Sequence, residues 1–251
     1  MKADDASIPT RTDLIWRRAS VASEYHASRK GIPFADAHFA VMHQLLDAAG
    51  ITVRNLLDLG AGDGIATTVV AERQPVERAV LVDFSPPMMD LARERFAPPN
   101  VGPAAQFVVG DFRASDWHAE VAAAGPYDAV VSRFAIHHIP DEDKRALYGA
   151  VLGWLAPGGL FVNIEHVASA SDLYHQAHEQ LMIHGIMAAQ GDEADAEQVA
   201  ATYRARQDSG ANILAPVEVQ LAWLRELGFG DVDCAFKAFE LAVFAGRRPS
   251  S

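Results

Sequence analysis

The segment Leu56–Gly64 constrains the fold most, because it joins an apolar run directly to a glycine-rich loop. Its sequence is Leu-Leu-Asp-Leu-Gly-Ala-Gly-Asp-Gly, and a helical pattern begins at Ile65. An apolar run of this kind predicts a strand buried on both faces. Glycines permit a sharp turn and a close approach of the backbone to a ligand. We therefore expect a ligand-binding loop between a first strand and a helix.

Alternating apolar and helical segments predict a parallel α/β sheet. The apolar runs expected to form strands are Asn55–Leu59, Ala79–Val82, Gln106–Val109, Ala129–Val131 and Leu160–Ile164. The helical stretches expected between them are Ile65–Arg73, Pro86–Phe96 and Asp141–Leu155. Strands that alternate with helices form parallel sheets with right-handed crossovers. The middle of the chain is therefore predicted to be one doubly wound domain.

The sequence before the first strand predicts two helices. They are expected at Arg11–Lys30 and at Phe34–Ala49, and Gly31-Ile32-Pro33 separates them. Glycine and proline in sequence end helices, which explains this boundary. Residues 1–50 are therefore predicted to form an N-terminal helical lid segment, and residues 51–251 the main domain.

The sequence after the fifth strand predicts a helical insertion and an antiparallel ending. Residues 169–214 are rich in Ala, Gln and Glu and carry no strand pattern, so we expect a helical cap there. Pro216–Leu227 then predicts a helix that Gly228 ends. Val232–Phe236 and Glu240–Ala245 predict a short antiparallel pair of strands.

The charge balance narrows the class of partner. The chain has 21 basic and 33 acidic side chains, which gives a net charge of -12. Such a surface repels phosphate backbones and anionic lipid, so we expect neither nucleic acid nor a membrane as partner. Its single cysteine, Cys234, excludes an internal disulfide. Residues 1–10 lack the apolar core of a signal peptide, and a cytoplasmic location is expected.

Three details indicate which ligand the loop binds. Residues 60–64 have the spacing Gly-x-Gly-x-Gly, whereas the dinucleotide fingerprint has its third glycine one residue later, so a nucleotide-dependent dehydrogenase is disfavoured. Asp58 precedes the loop, and its carboxylate suits a cationic group and would repel a pyrophosphate. Asp83 ends the second strand about 20 residues further on, where an acid accepts hydrogen bonds from ribose hydroxyls.

Residues after the second and third strands complete a predicted nucleoside site. Phe84 follows Asp83 and is expected to lie on one face of an adenine. In Gly110-Asp111-Phe112, Asp111 is expected to accept a hydrogen bond from the exocyclic amine while Phe112 packs beside the ring. These elements all follow strands at their carboxyl ends, where open α/β sheets bind ligands.

The motifs together resemble those of class I S-adenosylmethionine-dependent methyltransferases. The segments similar to successive family motifs are Leu57–Gly64, Leu81–Ser85, Gly110–Phe112, Tyr127–Ile139 and Leu155–Phe161. The resemblance covers roughly residues 55–164 and continues at residues 216–247. It implies a Rossmann-like fold with a mostly parallel seven-stranded sheet ending in an antiparallel hairpin. It also implies S-adenosylmethionine as the cofactor.

The resemblance also assigns cofactor contacts to particular positions. The residues expected to contact the cofactor are Tyr25, Arg29, Asp58, Gly60, Ala61, Gly62, Asp83, Phe84, Met88, Gly110, Asp111, Phe112, Ser132 and Arg133. In similar small bacterial proteins an N-terminal aromatic residue and an arginine close over the methionine part of the cofactor. Here these residues are Tyr25 and Arg29, and the guanidinium would pair with the cofactor carboxylate.

Histidines dominate the segments expected to face a methyl acceptor. Six of the ten histidines lie between residues 137 and 184. Methyl transfer from a sulfonium requires a positioned nucleophile and, for some acceptors, a general base. The predicted catalytic residues are His166, because an imidazole suits proton transfer near neutral pH, Glu165 beside it, and His137 after the fourth strand.

The insertion also raises the question of a metal ion. His175 and His178 share a helix face, and with Glu165 and His166 they would offer enough ligands for a divalent ion. The spacing matches no compact zinc pattern, and a polar helix face explains it equally well. We therefore predict no metal ligands from the sequence. Apolar residues of the insertion suit a lid over a small, partly apolar acceptor.

The function that the sequence favours is S-adenosylmethionine-dependent methyl transfer to a small molecule. One alternative is an enzyme of the same fold that cyclises the sulfonium or transfers another carbon group, because fold does not fix chemistry. A second alternative is a non-catalytic module that binds the cofactor. The acceptor atom stays open, as does the choice between monomer and homodimer.

Overall fold

A seven-stranded mixed sheet forms the centre of the protein. The computed structural model describes residues 11–28, 31–100, 102–191 and 195–250, leaving aside the side chains of residues 24–28 and 207. The strands are β1 Asn55–Leu59, β2 Arg78–Asp83, β3 Ala104–Val109, β4 Tyr127–Arg133, β5 Leu155–His166, β6 Gly230–Ala238 and β7 Leu241–Arg247. Their order is β3-β2-β1-β4-β5-β7-β6. Strands β1 to β5 are parallel, and β7 pairs antiparallel with both β5 and β6, which confirms the expected architecture.

Helices flank both faces of this sheet. Those in the described ranges are α1 Ala19–Ser28, α2 Ala35–Ala48, α3 Ile65–Ala71, α4 Pro86–Phe96, α5 His118–Ala124, α6 Asp141–Trp154, α7 Asp172–Gln190, α8 Ala196–Ala205 and α9 Val217–Leu227. Helices α7 and α8 follow β5, so the predicted helical insertion is confirmed. None of the helices in the part of the chain described here is long and apolar enough to cross a membrane.

Side chains from alternate positions along the strands fill two apolar cores. Leu57 packs on one face with Trp154 of α6, and Leu56 packs on the other with Met42 of α2. All four side chains are at most 9% exposed. Covered faces on both sides explain why the strands have continuous apolar sequences rather than alternating ones.

The predicted helix at Arg11–Lys30 is wrong in its first part. Residues Thr12–Arg17 form a 3-10 turn, and α1 begins only at Ala19. Arg18 between them has an extended backbone, with φ -90° and ψ 129°. Tertiary contacts explain the difference, because the Ser85 hydroxyl donates a hydrogen bond to the carbonyl of Trp16 at 2.5 Å. Such contacts override the local helical pattern.

Other differences from the sequence expectation include one helix and the starts of two strands. Helix α5 was not predicted, because Val121 is its one buried residue and an apolar stripe is missing. Strand β5 begins at Leu155, which pairs with Tyr127, rather than at Leu160. Strand β7 begins at Leu241, so Glu240 lies in the turn between β6 and β7 instead of inside a strand.

Candidate functional site

The loop after β1 turns on glycines with left-handed backbone conformations. Gly60, Gly62 and Gly64 have φ angles of 66°, 55° and 78°. The backbone N–H of Gly60 donates a hydrogen bond to the Val82 carbonyl at 2.8 Å, which holds the loop across the end of β2. A Cβ atom at Gly60 would lie 2.0 Å from the Cβ of Ala135. Both the backbone conformation and the close approach therefore require glycine at position 60.

Asp58 is a buried acid with one free oxygen. Its Oδ2 accepts hydrogen bonds from the Thr67 backbone N–H at 3.1 Å and from the Thr67 hydroxyl at 2.7 Å. Its Oδ1 has no partner among the described residues. Burial raises the pKa of the Asp58 carboxyl to about 7, although the Thr67 hydrogen bonds oppose the shift. A fixed carboxylate with an unused oxygen suits a cationic ligand group.

Asp83 connects the glycine loop to the end of β2. Its Oδ2 accepts a hydrogen bond from the Gly62 N–H at 2.9 Å, and its Oδ1 accepts one from the Ser85 N–H at 2.8 Å. Burial raises its pKa to about 6, and these backbone hydrogen bonds limit the shift. The Asp83 carboxylate is thus held at the carboxyl end of β2, at the position expected for a residue that binds ribose hydroxyls.

Asp111 lies at the same edge and is engaged by two arginines. Arg11 Nη1 donates to its Oδ2 at 2.5 Å, and the Arg113 backbone N–H donates to its Oδ1 at 3.0 Å. Burial opposes ionisation of Asp111, but the hydrogen bonds and positive charges of Arg11 and Arg113 together outweigh burial, so the pKa of Asp111 is lowered. Both oxygens of the carboxylate predicted to bind the base therefore already have a partner within the protein.

Residues 11–17, which we call the N-terminal strap, cover this edge of the sheet. Arg11 Nη2 also donates to Asp13 Oδ2 at 2.5 Å, and the Asp13 side chain is 4% exposed. Asp13 and Trp16 line the same cavity as the glycine loop. Sequence reasoning missed the strap, because its partners lie up to 100 residues away along the chain.

The cavity beside the glycine loop gathers most of the predicted cofactor contacts. Eleven of them line it, namely Asp58, Gly60, Ala61, Gly62, Asp83, Phe84, Met88, Gly110, Asp111, Phe112 and Arg133. Ser132 is buried beside it, but its hydroxyl donates to the Leu59 carbonyl at 2.8 Å and so connects β4 to β1. The Tyr25 side chain and all of Arg29 lie outside the described residues.

A larger cavity of about 610 Å³ adjoins the first, which measures about 80 Å³. Trp16, Phe134 and His138 line both cavities and form the boundary between them. Helices α7 and α8 contribute Met182 and Val199 to the larger one. The first cavity is smaller than the roughly 300–1,000 Å³ of typical ligand pockets. A nucleoside ligand therefore needs room from the shared boundary or from a shift of the strap.

A histidine and a glutamate pair at the floor of the larger cavity. His137 Nδ1 lies 2.6 Å from Glu165 Oε1, and both side chains are buried. Burial lowers the pKa of His137 well below its ordinary value and raises that of Glu165 to about 7. His137 lines the cavity, whereas its Nδ1 is used by Glu165. The structure thus brings two of the three predicted catalytic residues into direct contact.

The third predicted residue, His166, belongs to a neighbouring cluster around Glu240. His166 Nε2 lies 2.7 Å from Glu240 Oε2, and His175 Nδ1 lies 2.8 Å from Glu240 Oε1. Burial raises the pKa of Glu240, but hydrogen bonds from His166, Ser169 and His175 outweigh it and lower the pKa to about 2. Sequence reasoning missed Glu240, because the residue was assigned to a strand rather than to the hairpin turn.

Comparison with known proteins agrees with this geometry. Residues 56–159 match the family model of a methyltransferase domain. The chain is 34% identical over 134 residues to trans-aconitate 2-methyltransferase of Streptomyces avermitilis, a match covering 53% of this chain and 45% of that one. It is 31% identical over 115 residues to carboxy-S-adenosyl-L-methionine synthase of Chromohalobacter salexigens, with 45% and 40% covered. A solved DhpI-SAM-HEP complex is 18% identical, with a TM-score of 0.60 and 98% and 100% covered.

Residues 56–159 therefore match a methyltransferase domain, and the chain shares its fold with a protein solved in complex with S-adenosylmethionine. The site fits this cofactor, because the unpartnered Asp58 oxygen matches a cationic amino group and the glycines at 60 and 62 leave room for close approach. The chain spans about half the length of the two curated relatives, 45% and 40%.

Proposed function

We propose that this protein transfers a methyl group from S-adenosylmethionine to a small molecule. The observation that carries the proposal is the contact between the two cavities, which share Trp16, Phe134 and His138. A sulfonium supplies an already activated methyl group. The task of the protein is therefore to hold the two reactants next to each other in the correct orientation.

Residues at the carboxyl ends of β1, β2 and β3 hold the cofactor in this proposal. Asp58 offers its free Oδ1 to the cationic amino group, and Asp83 accepts hydrogen bonds from the ribose hydroxyls. Phe84 and Phe112 line the same cavity and supply apolar faces for the base. These roles follow from the position of each side chain along one edge of the sheet.

The pair formed by His137 and Glu165 accepts the proton of the acceptor where one must be removed. Glu165 engages His137 Nδ1 at 2.6 Å, which leaves the Nε2 atom as the basic nitrogen. A buried carboxylate in this position fixes the tautomer and orientation of an imidazole. The Asn163 amide donates to the other oxygen of Glu165 at 3.3 Å and helps to hold the pair.

The size and walls of the larger cavity favour a small acceptor. Its volume of about 610 Å³ lies within the usual range for drug-sized ligands. Helices α7 and α8 close over it, which would hinder a macromolecule, and the net charge of -12 disfavours nucleic acid. A cytoplasmic location, and a monomeric or dimeric state, remain predictions from the sequence.

A second candidate is a different sulfonium reaction at the same site. The similarity to a protein named carboxy-S-adenosyl-L-methionine synthase favours it, because that name denotes chemistry on the cofactor itself. The same loop and acids would bind the cofactor in either case. Only the product distinguishes the two reactions.

Product analysis tests the proposal. The protein is incubated with S-adenosylmethionine and a small-molecule filtrate of a bacterial extract, and the nucleoside products are separated by chromatography. We expect S-adenosylhomocysteine that depends on the filtrate. Methylthioadenosine, another cofactor derivative, or no turnover would each contradict methyl transfer.

A matched pair of variants tests the role assigned to His137. His137→Ala should lower the rate of S-adenosylhomocysteine formation by about 10²- to 10⁴-fold, the usual contribution of a general base. His184→Ala serves as the control, because His184 is exposed on α7. Equal rates for the two variants would remove His137 from the mechanism.

A further inference from the structure

Three elements that are distant in the sequence bring ligating side chains to one point. His166 ends β5, His178 lies on α7, and Glu240 lies in the turn between β6 and β7. One ligand atom from each lies within 4.8 Å of the other two. His166 Nε2 and His178 Nε2 approach the same oxygen, Glu240 Oε2, at 2.7 and 3.5 Å.

The surroundings of Glu240 orient its carboxylate toward the two imidazoles. The Ser169 hydroxyl donates to Oε1 at 2.5 Å, and His175 Nδ1 lies 2.8 Å from the same atom. These contacts use Oε1 and leave Oε2 facing His166 and His178. A carboxylate held in this way is prepared to act as a single-oxygen ligand.

Burial and donor chemistry favour a cation at this point. The side chains of His178 and Glu240 are 3% and 2% exposed, and that of His166 is 14% exposed. His178 Nδ1 has no partner among the described residues, so hydrogen bonding alone does not satisfy this buried ring. Two imidazoles and one carboxylate form a ligand set that binds divalent first-row transition metals.

The distances also suit one ion. With metal–ligand bonds of about 2.0–2.2 Å, neighbouring ligands of a tetrahedral ion lie roughly 3.4 Å apart. The 3.5 Å separation is close to that value, and the 2.7 Å separation is shorter by about 0.7 Å. An ion therefore requires His166 and Glu240 to move apart by about 0.7 Å.

We infer that His166, His178 and Glu240 bind a divalent transition-metal ion in the wall of the larger cavity. Three protein ligands leave at least one coordination position open. His166 and His178 line the cavity, so this position faces the space assigned to the methyl acceptor. The ion coordinates an oxygen or nitrogen of the acceptor and lowers its pKa, a role that rests on the proposed function.

The roles of His166 and His178 in this site differ from those expected from the sequence. His166 becomes a metal ligand, which leaves proton transfer to His137 and Glu165. The spacing of His175 and His178 gave no zinc pattern because the carboxylate ligand comes from a hairpin 62 residues after His178. A short sequence motif does not reveal ligands that come from β5, α7 and a distant turn.

Metal titration tests the inference without any methyl acceptor. Protein purified without an affinity tag is stripped with a chelator and titrated with Zn²⁺ against a competing chromophoric chelator, and Co²⁺ is added separately to record its visible absorption. We expect one tightly bound Zn²⁺ per chain and a Co²⁺ spectrum of low coordination number. The absence of stoichiometric binding would overturn the inference and indicate a purely hydrogen-bonded cluster.

Variants assign the ion to these residues. Glu240→Gln and His178→Ala should abolish the tight site, and Ser169→Ala should weaken it by about tenfold to hundredfold. His184→Ala, on the exposed face of α7, should bind as the wild type does. A Glu240→Gln protein that folds, as judged by circular dichroism, and still binds Zn²⁺ with wild-type affinity would refute the assignment.

The failure of this inference and that of the proposed function are distinguishable. Calorimetry with S-adenosylhomocysteine on the metal-free protein reports the cofactor site alone. Retained cofactor binding without Zn²⁺ binding would overturn only the metal site. Zn²⁺ binding without cofactor binding would overturn only the proposed function.

Discussion

Substitution of Gly60 by alanine tests why position 60 requires glycine. The backbone there has a positive φ angle, and it also lies too close to Ala135 to leave room for a side chain. An L-residue at φ 66° costs roughly 1–2 kcal/mol of stability. A loss of entropy in the unfolded chain offsets about 0.4–1 kcal/mol of this. At Gly60 the new Cβ would also lie 2.0 Å from the Cβ of Ala135, and such overpacking adds about 1–3 kcal/mol. The expected loss is therefore about 1–5 kcal/mol, of which the steric cost is about 1–3 kcal/mol.

Gly50→Ala is the matched control for this substitution. Gly50 has φ 65°, nearly the angle of Gly60, and a Cβ there would have no neighbour within 4 Å. Its expected loss is about 0–2 kcal/mol, because the conformational cost applies and the steric cost does not. Denaturant unfolding measures both losses, and calorimetry measures the affinity for S-adenosylhomocysteine. We expect Gly60→Ala to weaken that affinity by about tenfold or more. Equal stability losses for the two variants would refute the steric argument.

Two further predictions concern the acids of the cofactor site and the strap. Burial raises the pKa of Asp58 to about 7 and that of Asp83 to about 6, so both carboxyls take up protons as the pH falls from about 8 to about 5. The ionised carboxylates bind the amino group and the ribose hydroxyls of the ligand. Calorimetry should therefore show that the affinity for S-adenosylhomocysteine falls at least about tenfold over this pH range. An affinity that does not change with pH would contradict these roles. Arg11→Ala removes a partner of the buried Asp13 and should lower the free energy of unfolding in urea by about 1–3 kcal/mol. Arg54→Ala is the control, because it breaks an exposed pair with Glu77 and should lower that free energy by about 1 kcal/mol or less. Equal losses for the two arginine variants would show that the strap is not held by Arg11.

The cofactor loop was predictable from the sequence because its parts are local. Asp58 and the glycines occupy one continuous segment, and Asp83 and Asp111 directly follow or end strands that have clear apolar patterns. Carboxyl ends of parallel strands meet at one edge of a sheet, so the sequence alone brings these groups together. The mostly parallel sheet and its antiparallel ending followed from the same alternation and from the family resemblance.

Residues whose role depends on distant contacts were not predictable in this way. Arg11 contacts Asp111 across 100 residues, and Glu240 contacts His166 across 74. The helical pattern before residue 30 gives no indication that its first turn lies over the cofactor edge. Ser132 illustrates the reverse case, because a position next to the site in sequence proved to donate a hydrogen bond to the backbone of β1.

Calorimetry with S-adenosylhomocysteine tests most directly the central claim that the edge formed by β1, β2 and β3 binds the cofactor. Hydrogen bonds from ribose hydroxyls to an ionised acid contribute about 1.5–3 kcal/mol, so Asp83→Ala should weaken binding by about tenfold to hundredfold. Asp90→Ala is the control, because Asp90 is exposed on α4 and pairs only at the surface with Arg93. Wild-type affinity in Asp90→Ala together with this loss in Asp83→Ala is the predicted result. No binding by the wild type, or equal affinity in all three proteins, would contradict the claim.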